Sequence, residues 1–241
     1  MNKQTYQDNN EKEMSISEHL NELRQRILVT MLLFGISTLS SFLMLKKLTI
    51  LLQEPAQGVK FLQLAPGEYF FVSVKIAFYV GILLCLPIAI YQIIMFILPG
   101  LTGKEANIVV PSLLGSVGLF FLGIIFGYTI LAPAALTFFI NYGADIIEPI
   151  WSFEQYFDFI LLLLLSTGLA FQIPVIQVFL GFLNIISSTQ MISAWKYVIV
   201  IATILGAILT PSTDPFTQML MATAILALYF SGISVLVIFK K

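Results

Sequence analysis

The side chains best suited to chemistry cluster in the stretch SISEHLNELRQRILVTMLLF. It runs from Ser15 to Phe34 and holds the only histidine and both arginines of the chain. Glu18, Glu22 and Arg26 recur in it at steps of four residues, which places them on one face of a helix. Ser15 followed by Glu18 matches the Ser-x-x-Glu capping box, so a helix is predicted to begin just after Ser15. Taken alone, the Glu22–Arg26 pair would add only roughly 0.2–0.5 kcal/mol to that helix.

An apolar stripe follows the same helix and predicts where it lies. Ile16, Leu20, Leu23, Ile27 and Met31 fall at helical spacing and lead without a break into an apolar segment. This pattern is typical of an amphipathic helix at the surface of a membrane that continues into a membrane-spanning helix. The stripe would hold the charged residues of the stretch at the depth of the lipid headgroups.

The composition identifies the class of protein that these elements build. The chain of 241 residues is 59% hydrophobic and 10% charged, and its mean hydropathy is +0.96. Soluble domains carry ~25% charged residues, so this is a membrane protein. A net charge of −1 without a basic cluster excludes nucleic-acid binding. The single cysteine, Cys85, excludes a disulfide framework, and we expect neither a metal nor a cofactor.

Hydropathy and length predict an all-α, polytopic fold with six membrane-spanning helices. Spanning the hydrocarbon layer takes ~20 apolar residues. The fifth candidate is the shortest and is joined to the sixth only through TPSTDP, so this hairpin is expected not to cross the whole bilayer. Residues 1–26 form a polar amino-terminal segment, and residues 27–241 form the transmembrane domain. The spans are predicted at 27–45, 70–98, 108–131, 155–182, 194–210 and 216–239, with bends at Pro87, Pro111, Pro133 and Pro174.

The distribution of basic residues predicts the orientation. With six spans both termini lie on one side, which then carries eight lysines and arginines against four on the other side. Basic residues favour the cytoplasmic side, so both termini are predicted to be cytoplasmic or, in a plastid, stromal. Residues 1–26 lack the pattern of a secretory signal and are too acidic for a transit peptide. We therefore expect a chain used as synthesised, by a bacterium or from an organelle genome.

Polar residues are scarce inside the spans, and this scarcity limits the possible activities. Gln172, near the middle of span four, either hydrogen-bonds to a neighbouring helix or forms a polar patch that faces a groove or partner. Asp214 lies in the last hairpin and is expected to be in contact with water. Lys75 and Asp158 lie near span ends, where snorkelling explains them. The spacing of Gly123 and Gly127 permits close helix packing.

These residues offer few of the groups that catalysis or solute transport requires. His19 has no serine or cysteine partner, and the spans hold neither a nucleophile with its base nor paired aspartates. We therefore expect that the chain is not an enzyme. A small-solute transporter or channel remains an alternative, although the spans hold no mid-membrane carboxylate and no inverted repeat is visible. A passive assembly scaffold is a third possibility.

Four motifs in order resemble the TatC family, the polytopic subunits of the twin-arginine protein translocase. They are EHLNELRQRIL, FVSVKIAFYVGILLCLPIAIYQIIMFILPGLTGKE, FQIPV and ILTPSTDPFTQ. The resemblance runs from about Ser17 to the carboxyl terminus. It implies a cupped, glove-like bundle of six helices in which helices five and six are short and both termini are cytoplasmic or stromal.

The resemblance also assigns roles to particular residues. It implies that Glu22 and Glu105 bind signal peptides that carry two consecutive arginines. It further implies that Arg24 orients Glu22 and keeps it ionised, with His19 and Leu20 in the same site. Many bacterial members of the family carry a glutamate at the position of Gln172. The side chain is neutral here, as it is in chloroplast-type members. Structural or partner-contact roles fall to Pro87, Gln172, Asp214 and Arg26.

The function implied by the resemblance is that of a core receptor subunit that helps to export folded proteins with the proton-motive force. Its partners would be TatA/TatB-like single-span subunits, twin-arginine signal peptides, further copies of the chain and membrane lipid, without nucleic acid. A plastid thylakoid membrane is the first choice of location. A bacterial inner membrane is the second.

Overall fold

The structure is a computed structural model that describes residues 16–97, 103–142, 146, 150–183, 185–210 and 214–238. Within these ranges the chain is almost entirely helical, as the hydropathy predicts. The helices are α1 (Ile16–Leu43), α2 (Leu45–Gln53), α3 (Glu68–Ile97), α4 (Gly103–Phe126), α5 (Ala132–Asn141), α6 (Phe153–Ala170), α7 (Ile173–Phe182), α8 (Ser188–Ser193), α9 (Trp195–Leu209) and α10 (Pro215–Ile238).

The six predicted membrane helices are all present in the described ranges. Five segments are long and apolar enough to cross a membrane, and α9 is a shorter apolar helix of 15 residues. At 1.5 Å per residue α9 is only about 22 Å long, less than the hydrocarbon layer. The prediction of a short fifth helix is therefore confirmed, whereas the sixth, α10, has 24 residues and is not short. The five long segments are Ser17–Leu43, Glu68–Phe96, Leu114–Asn141, Phe153–Phe182 and Pro215–Ile238.

The third and fourth spans are each broken into two helices close to a proline. A π-helical segment, Gly127–Leu131, separates α4 from α5, and Pro133 lies in the first turn of α5. Span four breaks at Phe171 and Gln172, and Pro174 opens α7. Proline fits the first helical turn because its missing N–H has no intrahelical acceptor there. Pro87 and Pro111, in contrast, lie within the continuous helices α3 and α4.

Helix α6 lies at the centre of the bundle and packs against α3, α4 and α9. Its side chains Phe157, Ile160 and Leu161 are fully buried. Helix α4 approaches it closely at Gly123, where a Cβ atom would lie 2.7 Å from the carbonyl oxygen of Thr167. A methyl group cannot occupy that space unless the helices separate. The close packing expected from the two spaced glycines is therefore confirmed.

A small cap closes the end of the bundle opposite the amino terminus of α1. Two short parallel strands, β1 (Lys60–Leu62) and β2 (Ile150–Ser152), pair there, an element that the hydropathy pattern did not predict. The carboxylate of Glu68 is buried and accepts backbone N–H groups of Leu64 at 2.6 Å and of Glu154 at 2.9 Å. This carboxylate joins the loop before α3 to the start of α6.

Lys75 is also part of this cap, and its role differs from the prediction. Its Nζ donates to Glu154 Oε1 at 2.7 Å and to Asp158 Oδ1 at 2.9 Å. Lys75 and Asp158 were expected to extend separately toward the headgroups, but the structure pairs them across α3 and α6. The side chains remain between one-third and one-half exposed, so the pairing fixes geometry more than it adds stability.

Candidate functional site

Helix α1 carries the charged stretch along one side of the bundle. It continues from Ile16 to Leu43 without a break, so the boundary predicted between residues 26 and 27 falls inside one helix. Among the described helices α1 packs mainly on α3. Leu20, Ile27 and Met31 are each more than two-fifths exposed, so the apolar stripe faces away from the bundle.

Glu22 and Arg26 form the ion pair that their spacing predicts. Arg26 Nε donates to Glu22 Oε1 at 2.9 Å, and Nη2 donates to the same oxygen. Arg26 Nη1 donates in addition to Oε1 of Gln92 on α3 at 2.9 Å. Both ion-pair side chains are about one-fifth exposed, with a relative exposure of 21% each. Arg26 therefore bridges α1 and α3 and uses only one oxygen of Glu22.

The second oxygen of Glu22 is the unusual feature of the site. Glu22 Oε2 is buried, and no donor among the described residues is within hydrogen-bond distance of it. Nδ1 of His19 lies 3.8 Å from Oε2, which is too far for a hydrogen bond. The His19 ring stacks on Phe96 of α3, with centroids 4.1 Å apart and planes inclined by 14°. Oε2 is thus a strong hydrogen-bond acceptor that the stacked His19 ring does not satisfy. An unsatisfied oxygen is energetically costly for a buried carboxylate.

Two residues of the predicted site lie elsewhere than expected. Arg24 is exposed, and within the described ranges no hydrogen bond or ion pair joins it to another residue. The side chain that contacts Glu22 in this structure is Arg26, and the role implied for Arg24 stays a prediction. Leu20 is 60% exposed and points away from α3.

Glu105 belongs to the same end of the bundle. It lies in the first turn of α4, nine residues after Phe96, while its side chain falls outside the described residues. The connection between α3 and α4 is short, so the backbone of Glu105 is near the end of α3 that carries Phe96. Its distance from Glu22 is not part of the described structure.

Gln92 and Phe96 are site residues that the sequence reasoning missed. Both occur in the quoted motif around PIAIYQIIMF, where no role was assigned to them. They lie four residues apart and therefore on one face of α3. A glutamine one turn before a phenylalanine on an otherwise apolar helix was the available signal, because a polar side chain in a span usually has a partner.

Gln172 meets the first of its two predicted roles. Its side chain is 6% exposed, and its Nε2 donates to the backbone oxygen of Ser116 on α4 at 3.1 Å. The hydroxyl of Ser116 donates in return to Gln172 Oε1 at 2.6 Å. The amide thus joins α4 to the break between α6 and α7.

Asp214 differs from its prediction. It was expected to be in contact with water, yet it is 1% exposed. Its Oδ2 accepts the backbone N–H of Thr217 at 2.7 Å, and the Thr217 hydroxyl donates to Oδ1. Asp214 therefore caps the amino-terminal end of α10, where a carboxylate satisfies free N–H groups and faces the positive end of the helix dipole.

The arrangement can accept hydrogen bonds from a cation, and within the described ranges it offers no other chemistry. No group of three or more histidine, cysteine, aspartate or glutamate side chains in those ranges could hold a metal ion. Oε2 of Glu22 is the acceptor, and Arg26 with Gln92 fixes the carboxylate in place. A carboxylate of this kind pairs best with a planar guanidinium group.

The sequence is similar to known translocase proteins. The family model "Sec-independent protein translocase protein (TatC)" matches residues 18–223. An "Uncharacterized tatC-like protein ycf43" of Pyropia yezoensis is 63% identical over 228 residues, which cover 95% of this chain and 90% of that protein. The chloroplastic "Sec-independent protein translocase protein TATC" of Oryza sativa subsp. japonica is 54% identical over 224 residues, covering 92% of this chain and 62% of that protein.

A solved structure shares the fold as well as the sequence. The crystal structure of the "Twin Arginine Translocase Receptor- TatC in DDM" superposes with a TM-score of 0.81 at 36% identity and covers 91% of this chain and 99% of its own. The chain is thus a multi-pass subunit of a Tat translocase, whose family is not enzymatic and works in a complex with other Tat subunits. The family model and these relatives cover most of the chain, so it belongs to the TatC family of Sec-independent protein translocases.

Proposed function

We propose that this chain is the receptor that binds twin-arginine signal peptides of proteins exported in folded form. Glu22 is the main carboxylate of the site and Glu105 is the second. The observation that carries the proposal is Oε2 of Glu22, a buried acceptor to which no side chain or backbone group in the described ranges donates. The solved relative is itself a twin-arginine translocase receptor.

The chemistry of the guanidinium group explains why arginine would be preferred over lysine. Guanidinium presents parallel N–H donors in a plane, stays charged at all physiological pH values and loses less hydration on binding than an ammonium. Glu22 is mostly buried, so a hydrogen bond to its oxygen is stronger than one in bulk water. A charge-assisted hydrogen bond contributes ~1.5–3 kcal/mol, so each bond that a lysine ammonium does not reproduce lowers its affinity by roughly 10- to 150-fold.

His19 controls access to this oxygen in the proposed mechanism. Its ring lies beside Oε2 and is held only by stacking on Phe96. The His19 side chain is 42% exposed, so the ring can turn outward at low cost. An arriving guanidinium then donates to Oε2 and stacks on Phe96 in place of the imidazole.

Binding of signal peptides to the purified chain tests the proposal. A peptide with two arginines and its double-lysine counterpart are titrated against the wild type, Glu22→Ala, Glu105→Ala and the double variant. We expect each single variant to lose most of the arginine preference and the double variant to lose all of it. Glu18→Ala is the matched control, because it removes a carboxylate from the same helix one turn away. An unchanged preference in the double variant contradicts the site assignment.

The wider role follows from the same proposal. The receptor recruits TatA/TatB-like single-span subunits and further copies of itself, and the proton-motive force drives export. The chloroplastic relative and the charge distribution support a thylakoid location with stromal termini. Depletion of the chain should block export of folded twin-arginine substrates while other export continues. Normal export after depletion would instead indicate a passive scaffold.

A further inference from the structure

Helix α1 leaves a groove along its contact with α3. The groove has a volume of about 340 Å³ and lies between Met31 and Phe34 of α1 and Phe78, Cys85 and Ala89 of α3. This size is at the lower limit of ligand-binding clefts, which are ~300–1,000 Å³. It opens toward the surroundings of the bundle, where Met31 is 66% exposed.

The lining of the groove is mostly apolar, and its polar groups are already hydrogen-bonded. The hydroxyl of Thr30 donates to the backbone oxygen of Arg26 at 2.8 Å. The thiol of Cys85 donates to the backbone oxygen of Thr30 at 3.6 Å. The groove therefore offers its occupant no hydrogen-bond partner, and only a hydrocarbon group suits it.

Among the described residues, Arg24 is the unpaired cation beyond the amino-terminal end of the groove. Arg24 precedes Met31 by seven residues, which is about two helical turns or ~10 Å along the axis and keeps both residues on one side of α1. Arg24 is exposed, and in the described part of the chain nothing neutralises it. Arg26, in contrast, is held by Glu22 and Gln92. The cation beside the groove is therefore free to bind an anion.

We propose that the groove and Arg24 together bind one acidic membrane lipid. An acyl chain fills the apolar groove, and the phosphate or sulfate of the headgroup accepts hydrogen bonds from the Arg24 guanidinium. The distance of ~10 Å between Arg24 and Met31 leaves room for the glycerol region of such a lipid.

Lipid binding to the detergent-purified chain tests the proposal without any signal peptide, so its failure is distinguishable from failure of the proposed receptor function. Native mass spectrometry counts the lipids retained after equal exposure to phosphatidylglycerol and phosphatidylcholine. We expect the wild type to retain one phosphatidylglycerol with a preference of about tenfold. Arg24→Gln should abolish the preference, whereas Lys46→Gln, which removes an exposed cation in the first turn of α2, should keep it.

A second variant tests the groove itself. Ala89→Phe fills the groove from α3 and should abolish the retained lipid of either kind. If that variant does not fold, Met31→Trp fills the groove from an exposed position of α1 and serves the same purpose. An unchanged lipid preference in Arg24→Gln overturns the proposal. Equal retention by the wild type and both filled variants also overturns it, because the lipid would then be unspecific boundary lipid.

Discussion

The buried pair of Gln172 and Ser116 allows the most exact test of how this bundle is held together. Two hydrogen bonds join these residues, Gln172 Nε2 to the Ser116 backbone oxygen at 3.1 Å and the Ser116 hydroxyl to Gln172 Oε1 at 2.6 Å. Each hydrogen bond between membrane helices contributes ~0.6 kcal/mol on average. Gln172→Leu keeps the size of the side chain and removes both bonds, so it should lower the free energy of unfolding by about 1 kcal/mol.

The complete cycle separates the interaction from the effect of each substitution. Ser116→Ala leaves the Gln172 oxygen buried without its donor and should cost ~1–3 kcal/mol. The loss of unfolding free energy in the double variant should be about 1 kcal/mol smaller than the sum of the losses in the two single variants. This difference is the coupling energy. The measurement is reversible unfolding in mixed detergent micelles, monitored by circular dichroism.

Gln177 supplies the matched control. It is also a glutamine with 6% exposure, but neither atom of its amide has a hydrogen-bond partner in the described part of the chain. Gln177→Leu should therefore leave the stability unchanged or raise it by about 1 kcal/mol. A coupling energy of zero between Ser116 and Gln172, or an equal loss in Gln177→Leu, refutes the reasoning. Loss of export in Gln172→Leu at unchanged stability would assign Gln172 to partner contact instead.

Three further substitutions, with Gly118→Ala as a control for the first, test other contacts of the fold by unfolding under the same conditions. Gly123→Ala should lower the free energy of unfolding by ~1–3 kcal/mol because the added methyl group meets the facing helix. In Gly118→Ala the methyl group meets nothing within 4 Å, so this variant should be more stable by ~0.5 kcal/mol. Equal effects of the two substitutions would contradict the close approach of the helices at Gly123. Asp214→Ala should cost ~1–2 kcal/mol by leaving the N–H of Thr217 without its acceptor, and a neutral result would show that the cap is dispensable. Lys75→Met should cost less than ~1 kcal/mol because its ion pairs are partly exposed; a larger loss would mean that they act as a network.

The helices and the motifs could be predicted from the sequence because their signals are local. The capping box before Ile16 and the four-residue spacing of Glu22 and Arg26 depend only on helix geometry, and both the helix and the ion pair occur as predicted. The location of the short helix α9 followed from counting apolar residues. The ordered motifs then indicated the family that the comparisons confirm.

The remaining features depend on contacts between distant segments, which no local pattern contains. Asp214 is buried because its own hairpin folds against the bundle, although its neighbours in the sequence are turn formers. Arg26 contacts both Glu22 and Gln92 because α3 places Gln92 on that side of α1. The pairing of β1 with β2 joins segments about 90 residues apart, and each strand is only three residues long. A strand of that length has no alternating pattern to detect.

The geometry around Glu22 also suggests why such a receptor would release its cargo. Arg26 already occupies Oε1 of Glu22, so the internal pair has the same chemistry as the proposed contact with a signal-peptide arginine. A guest guanidinium can add at Oε2 without displacing Arg26, but it then experiences repulsion from the Arg26 charge. Gln92 draws one nitrogen of Arg26 toward α3 and limits that repulsion. Gln92→Leu should free Arg26 and weaken signal-peptide binding several-fold while the arginine preference remains, and titration with both peptides distinguishes this result from loss of the site. Tighter binding in that variant would show that Gln92 does not restrain Arg26.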